Sequence, residues 1–178
     1  MRLSALIHLS RAILEMSEAD RIVVFGSASL LATFPDLGEE TGSPIEVTFD
    51  ADVIPYPFEE SLGEMLHEAF GERRKFHQRF GYHADITRPK ITENFPLNWE
   101  TRAVPLSGIE RVVCLEPHDM AVAKCLVARE KDSRQLKWLA ARKYLDLKLV
   151  RERLRAILSD VKAPVPGHAL LNRLEGGS

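Results

Sequence analysis

Two aspartates one residue apart, Asp50 and Asp52, lie in the run TFDADVIP, and well ahead of them Gly26 and Ser27 close the short apolar run Ile22 to Phe25. In an extended chain residues i and i+2 project from one face, so Asp50 and Asp52 share a face with Thr48 and Ile54. Phe49, Ala51 and Val53 then point the other way, which suits a sheet backed by helices and open in front. Successive same-face positions are ~6.5 to 7 Å apart along a strand, and two carboxylates at that spacing reach one divalent ion or a close pair. Mg²⁺ fits such a site, being a hard ion that takes one or two carboxylates, waters and the phosphate oxygens of a substrate. The chemistry this implies is the holding of a metal-bound nucleoside triphosphate (NTP).

The Gly-Ser turn supplies the other half of that chemistry. Gly26 permits positive φ and close backbone approach, and Ser27 and Ser29 offer hydroxyls at the start of a short expected helix, Ala28 to Thr33. Free amides at a helix start favour phosphate. Each feature has a plainer reading alone: a glycine that only turns the chain, and an Asp-x-Asp on a solvated strand edge. Their conjunction favours the site, because the turn follows one strand and the aspartates lie on the next.

A third carboxylate is available in YHADIT, Tyr82 to Thr87, where His83, Asp85 and Thr87 alternate with Tyr82, Ala84 and Ile86. Paired strands lie ~4.8 Å apart, so Asp85 stands beside Asp50 and Asp52 if the strands are neighbours; otherwise it is a solvent-facing strand residue. The preceding ERRKFHQRF brings Arg73, Arg74, Lys75 and Arg79, either a grip on nucleic acid or triphosphate or a wet loop. His67, His77 and His83 lack the spacing of a helical or finger-type metal motif and read as structural or surface residues. Cys114 and Cys125 read as small buried apolar residues.

The elements that must position these groups follow from periodicity. Residues 3 to 17 read as an amphipathic helix, Arg21 to Phe25 as a strand, and Asp36 to Pro44 as an exposed loop. Pro55 and Pro57 mark the end of the aspartate strand, and a helix is expected from near Phe58 to near Gly71. Trp99 to Leu106 and Arg111 to Leu115 read as a hairpin around Gly108. Pro117 opens a helix whose polar side carries Asp119, Lys124, Arg129, Lys131 and Asp132 and whose buried side includes Met120, Ala123 and Val127. Two more helical patterns, broken near Asp146, run to Leu158, after which APVPGH and the terminal EGGS read as a linker-like tail.

Composition bounds the class. Across 178 residues, 45% hydrophobic and 28% charged content excludes disorder throughout. No apolar run approaches the ~18 residues of a membrane span, and His8, Arg11 and Glu15 interrupt the N-terminal apolar residues, so a cytoplasmic protein is expected. The net charge of −2 conceals an asymmetry: residues 1 to 110 hold 18 acidic against 10 basic side chains, residues 111 to 155 hold 12 basic against 6 acidic. An acidic half can hold metal ions and a basic half phosphates or nucleic acid, or the two simply attract each other.

The FGS of Phe25 to Ser27 and the DAD of Asp50 to Asp52 resemble the nucleotidyltransferase superfamily of the DNA polymerase β type, with an insertion around Pro35 to Pro44. The run PHDMAVAKCLVAREKD is similar to the D-L-x-x-x-K-x-x-A-x-R-x-K-D signature of AbiEii-like toxins and their bacterial relatives, with Met120 for the usual Leu, and Trp99 with Arg102 fits a W-x-x-R of the same group. The resemblance implies an α/β (α+β) fold: a small mixed sheet with helices behind it over residues 1 to 110, a helical C-terminal segment over 111 to 162 packed on that core, and the tail 163 to 178. It implies Asp50, Asp52 and Asp85 as metal-binding and catalytic residues, Asp85 as the general base. Gly26, Ser27, Ser29, Lys124, Lys131 and Asp132 would be nucleotide-binding, with Mg²⁺ as cofactor. The expected reaction is NMP transfer from an NTP to a hydroxyl of RNA or protein, in a toxin-antitoxin setting with a cognate antitoxin as partner. The rival expectations are a non-catalytic nucleotide- or partner-binding protein of that fold, and an RNA-binding protein using the basic 111 to 155 segment.

Overall fold

The computed structural model describes residues 1–158 and 166–175 and divides into two compact units, one of residues 1–91 with 103–115 and one of 92–102 with the chain from Glu116 onward. The first unit is built on a five-stranded mixed sheet of order β3-β2-β1-β5-β4. Its strands are β1 (Arg21–Phe25), β2 (Asp50–Tyr56), β3 (His83–Ile86), β4 (Val104–Pro105) and β5 (Val112–Cys114). Within it β1 runs antiparallel to β2 and parallel to β5, β3 is parallel to β2, and β4 is antiparallel to β5. The α+β class and the mixed sheet agree with expectation; the sheet continues past residue 110 through β5, and the expected strand at Trp99 is instead a 3₁₀ turn, Trp99–Thr101.

Helix α1 (Leu3–Ser17) buries Leu6, Leu9, Ile13 and Leu14, an i, i+3, i+4 stripe. It packs against α2 (Glu60–Phe70), which also covers β3. Fully buried Ile22, Val23, Val24, Ala51, Ile54 and Ala84 make the sheet's share of the core. Between β1 and β2 the chain makes two 3₁₀ segments, Ser27–Ala32 and Pro35–Gly38, then turns. The amino group of Met1 donates to the carbonyls of Ile45 and Thr48, which ties down the approach to Asp50.

Two departures from the periodicity have physical causes. Pro55 does not end β2: it is buried and sits opposite Ile22. The Ile22 N–H donates to Arg111 on the β5 side, so this antiparallel pair is not hydrogen-bonded, and the N–H that proline lacks would point away from β1, past the last β3 pair, Val53–Ile86. The basic run after Gly71 is not wholly a wet loop, because Lys75–Phe80 forms the short helix α3, closed by Gly81 at φ 79°. Phe76 buttresses it, with its ring 5.1 Å from Phe70 and 4.7 Å from Phe80.

The second unit is helical: α4 (Pro117–Val127), α5 (Glu130–Ala141), α6 (Leu147–Leu158) and α7 (Pro166–Glu175). Helix α4 packs against the other three, with Leu136, Leu139, Val150, Leu154, Leu170 and Leu171 buried. The run read as one helix from Pro117 through Asp132 is two, because Ala128 turns left-handed at φ 52° and Arg129 is extended. Val127, at the broken end, is exposed rather than buried. The expected linker-like tail contains α7, whose paired leucines supplied too short a pattern to outweigh the prolines before them; residues 163–165 of APVPGH and 176–178 of the terminal EGGS lie outside the described residues.

Candidate metal centre

The parallel pairing of β2 with β3 aligns Asp50 with His83 and Asp52 with Asp85. In paired strands opposed residues share a face, so Asp50, Asp52, His83 and Asp85 form a four-cornered patch. One carboxylate oxygen from each aspartate lies within 4.8 Å of the other two. Asp50 and Asp52 are half-buried, and the Asp85 side chain is 49% exposed. Three oxygen donors converging from two strands suit a hard divalent cation, which takes oxygen ligands and leaves the remaining positions for water or substrate. Without a cation the three charges repel one another, so the arrangement has a structural cost that a bound cation offsets.

The turn after β1 meets this patch directly. Phe25 stands opposite Asp52 in the antiparallel ladder, and Gly26 adopts φ 66°, ψ −154°, a region essentially restricted to glycine. A Cβ placed on Gly26 would collide with Asp52 Oδ2. Glycine is therefore required by its backbone, and a side chain there would also displace the Asp52 carboxylate. Ser27 follows, half-buried, at the first position of the 3₁₀ segment. Ser29 differs from expectation: it is fully buried, and its hydroxyl donates to the Gly26 carbonyl at 2.8 Å, holding the turn from beneath.

A model of the family described as "Nucleotidyltransferase of unknown function (DUF6036)" matches residues 1–164. The chain belongs to this family. No curated protein and no solved structure matches it. Among the described residues no helix of this family member is long and apolar enough to cross a membrane.

Lys124, Lys131 and Asp132 lie in the helical unit. There Lys124 Nζ donates to Asp132 Oδ1 at 2.8 Å, both side chains largely buried, while Lys131 is exposed. The break at Ala128 makes this pair: in a straight helix residues eight apart are separated by ~12 Å along the axis. Asp119, the first acidic residue of the same signature, is fully buried and accepts from Arg102 Nε at 2.9 Å and Arg153 at 2.7 Å. Arg102 is thus a half-buried partner of the fully buried Asp119, a contact no local pattern reveals. Glu116 caps α4 by accepting from the N–H groups of His118 and Asp119 and also accepts from Arg153. Burial raises the Glu116 pKa, but the hydrogen bonds and positive charges of His118 and Arg153 outweigh it and bring the carboxyl down to about 2.

His83 is the residue that sequence reasoning set aside. It is 9% exposed, its Nε2 lies 3.6 Å from Asp85 Oδ1, and its ring packs at a tilt against His77, centroids 4.6 Å apart. The available signal was parity, since His83 and Asp85 are i and i+2 on one strand.

Proposed function

We propose that the protein is a Mg²⁺-dependent nucleotidyltransferase that moves an NMP from an NTP to a hydroxyl of an RNA or protein acceptor. The observation that carries this reading is the convergence of Asp50, Asp52 and Asp85 within 4.8 Å beside the Gly26 turn. Bound Mg²⁺ would neutralise the polyphosphate and lower the cost of ionising the acceptor hydroxyl. Asp50, Asp52 and Asp85 would hold the cations, and Asp85, the most exposed of the three, would also accept the hydroxyl proton. The acceptor oxygen bonds to the α-phosphorus as the bond to the bridging oxygen breaks, and pyrophosphate leaves. Gly26 and Ser27, in the turn that meets Asp52, would line the approach of the phosphates.

The AbiEii-like signature also makes Lys124 nucleotide-binding, with Lys131 and Asp132 completing the site or orienting Lys124; the Lys124–Asp132 hydrogen bond supports an orienting role for Asp132. Likeness to AbiEii-type toxins makes this a reading with a cognate antitoxin as partner. The RNA-binding alternative is weakened by internal pairing, since Lys124 and Arg153 of the basic segment are bound to Asp132, Asp119 and Glu116. Incubation with each α-labelled NTP, Mg²⁺ and a mixture of cellular RNA and protein tests the proposal: one macromolecular fraction should acquire label, and label confined to free nucleotide would refute it.

A further inference from the structure

The carboxylate patch has a fourth corner, and its chemistry differs. His83 faces Asp50 across the β2–β3 ladder, two residues before Asp85 on the same strand. Burying an imidazole costs free energy unless its nitrogens are paired, and here Nδ1 is buried without a partner. A leucine at the same place would carry no such cost. The other nitrogen, Nε2, stands 3.6 Å from Asp85 Oδ1.

The ring's orientation is imposed from outside the strand. His77 Nδ1 accepts the Arg73 backbone N–H at 2.9 Å, which leaves Nε2 as the site of the His77 proton and fixes that ring on α3. The His77 ring then lies over His83 at 4.6 Å with 31° between planes. His77 thereby packs against the His83 ring, whose Nε2 lies 3.6 Å from the half-exposed carboxylate, the least confined of the three.

We infer that His83 is a positioning residue for the metal centre: its Nε2–H engages Asp85 Oδ1 and turns the other oxygen of Asp85 toward Asp52 and the cation. This deepens the proposed function and rests on it. The tautomer follows, with Nε2 as donor and Nδ1 as the bare acceptor. A small rotation of the exposed carboxylate closes the remaining gap to hydrogen-bond length, ~2.7 to 3.2 Å. Partners of this kind, which orient a metal ligand without touching the metal, typically change metal affinity or activity by about 10- to 100-fold when removed.

The test uses the full chain and Mn²⁺ alone as the probe, with free Mn²⁺ followed by electron paramagnetic resonance and thermal melting measured in parallel. Wild type and Asp52→Asn establish the centre: wild type should bind Mn²⁺ and Asp52→Asn should not. Failure of wild type to bind overturns the metal reading and this inference with it. His83→Gln places an amide nitrogen near the imidazole Nε2 and should bind within about 3-fold of wild type. His83→Asn is as polar but too short to reach Asp85, and His83→Leu is apolar; both should bind about 10- to 100-fold more weakly. The Gln and Asn variants keep the question open to decision if the Leu variant fails to fold. Equal Mn²⁺ affinity in Gln and Asn variants, or wild-type affinity in the Asn or Leu variant, overturns the positioning role while leaving the metal centre intact.

Discussion

Asp52 lays its carboxylate against the bare Cα of Gly26, so that Oδ2 occupies space a Cβ at position 26 would need. The contact joins the turn after β1 to the acidic strand β2 and makes them one object.

Gly26→Ala should therefore be costly on two counts. The ψ near −154° at φ 66° lies in a region worth about 1 to 3 kcal/mol of strain for any residue with a side chain, and the added methyl pushes on Asp52. Urea denaturation should show a loss of about 2 kcal/mol or more. In a double-mutant cycle the Gly26→Ala loss should be smaller in an Asp52→Ala background than in wild type; an equal loss in both backgrounds would mean the two residues are not in contact.

Stability should also report the repulsion among the three carboxylates. Without divalent cation, Asp52→Asn should melt at or above the wild-type temperature, because it removes one of three like charges within 4.8 Å. Mg²⁺ at 100-fold its dissociation constant should stabilise wild type by about 2.7 kcal/mol, or about 5 to 10 °C for a chain of this size. Differential scanning fluorimetry measures both, and an equal rise in Asp52→Asn would place the binding elsewhere.

Where the chemistry was legible in the sequence, it was so because strand parity is local. The shared face of Asp50 and Asp52 follows from a period of two, and Asp85 joins them because β3 pairs directly with β2. Pro55 inside β2 and the break at Ala128 depend instead on which neighbour a backbone N–H reaches, and α3 on aromatic contacts from Phe70 and Phe80. None of these is encoded within a few residues. The same limit hid the partner of Arg102, since Asp119 is 17 residues away and buried by a helix packing that no window of sequence describes.

That buried cluster makes a prediction about the helical unit. Arg153→Ala strips one of two cations from a fully buried Asp119 and the only ion pair of Glu116 with an arginine among the described residues. The cost should be about 3 kcal/mol, the low end for breaking a buried pair, because Arg102 still holds Asp119. Urea melts of the variant, read by far-ultraviolet circular dichroism, measure it. A loss under about 0.5 kcal/mol would mean that the pairs behave as surface ion pairs.

Glu116 sets a pH dependence. Its folded-state pKa, about 2, lies below the ordinary 4.5, so its contribution is fully present above pH 4.5 and is lost as the pH falls toward 2. Wild type should exceed Glu116→Gln in stability at pH 5, and the margin should shrink steadily as the pH falls from 4.5 to 2. Chemical denaturation at a series of pH values checks it; a margin that grows in acid would contradict the assignment.

Comparison of label transfer by wild type, Asp50→Asn and Asp52→Asn tests most directly whether Asp50 and Asp52 carry the proposed cation-dependent nucleotidyl transfer. With α-labelled NTP, Mg²⁺ and the cellular acceptor mixture, wild type should label a macromolecule and lose the activity on chelation, while both variants remain folded and inactive. Transfer at the wild-type rate by either folded variant would contradict the account.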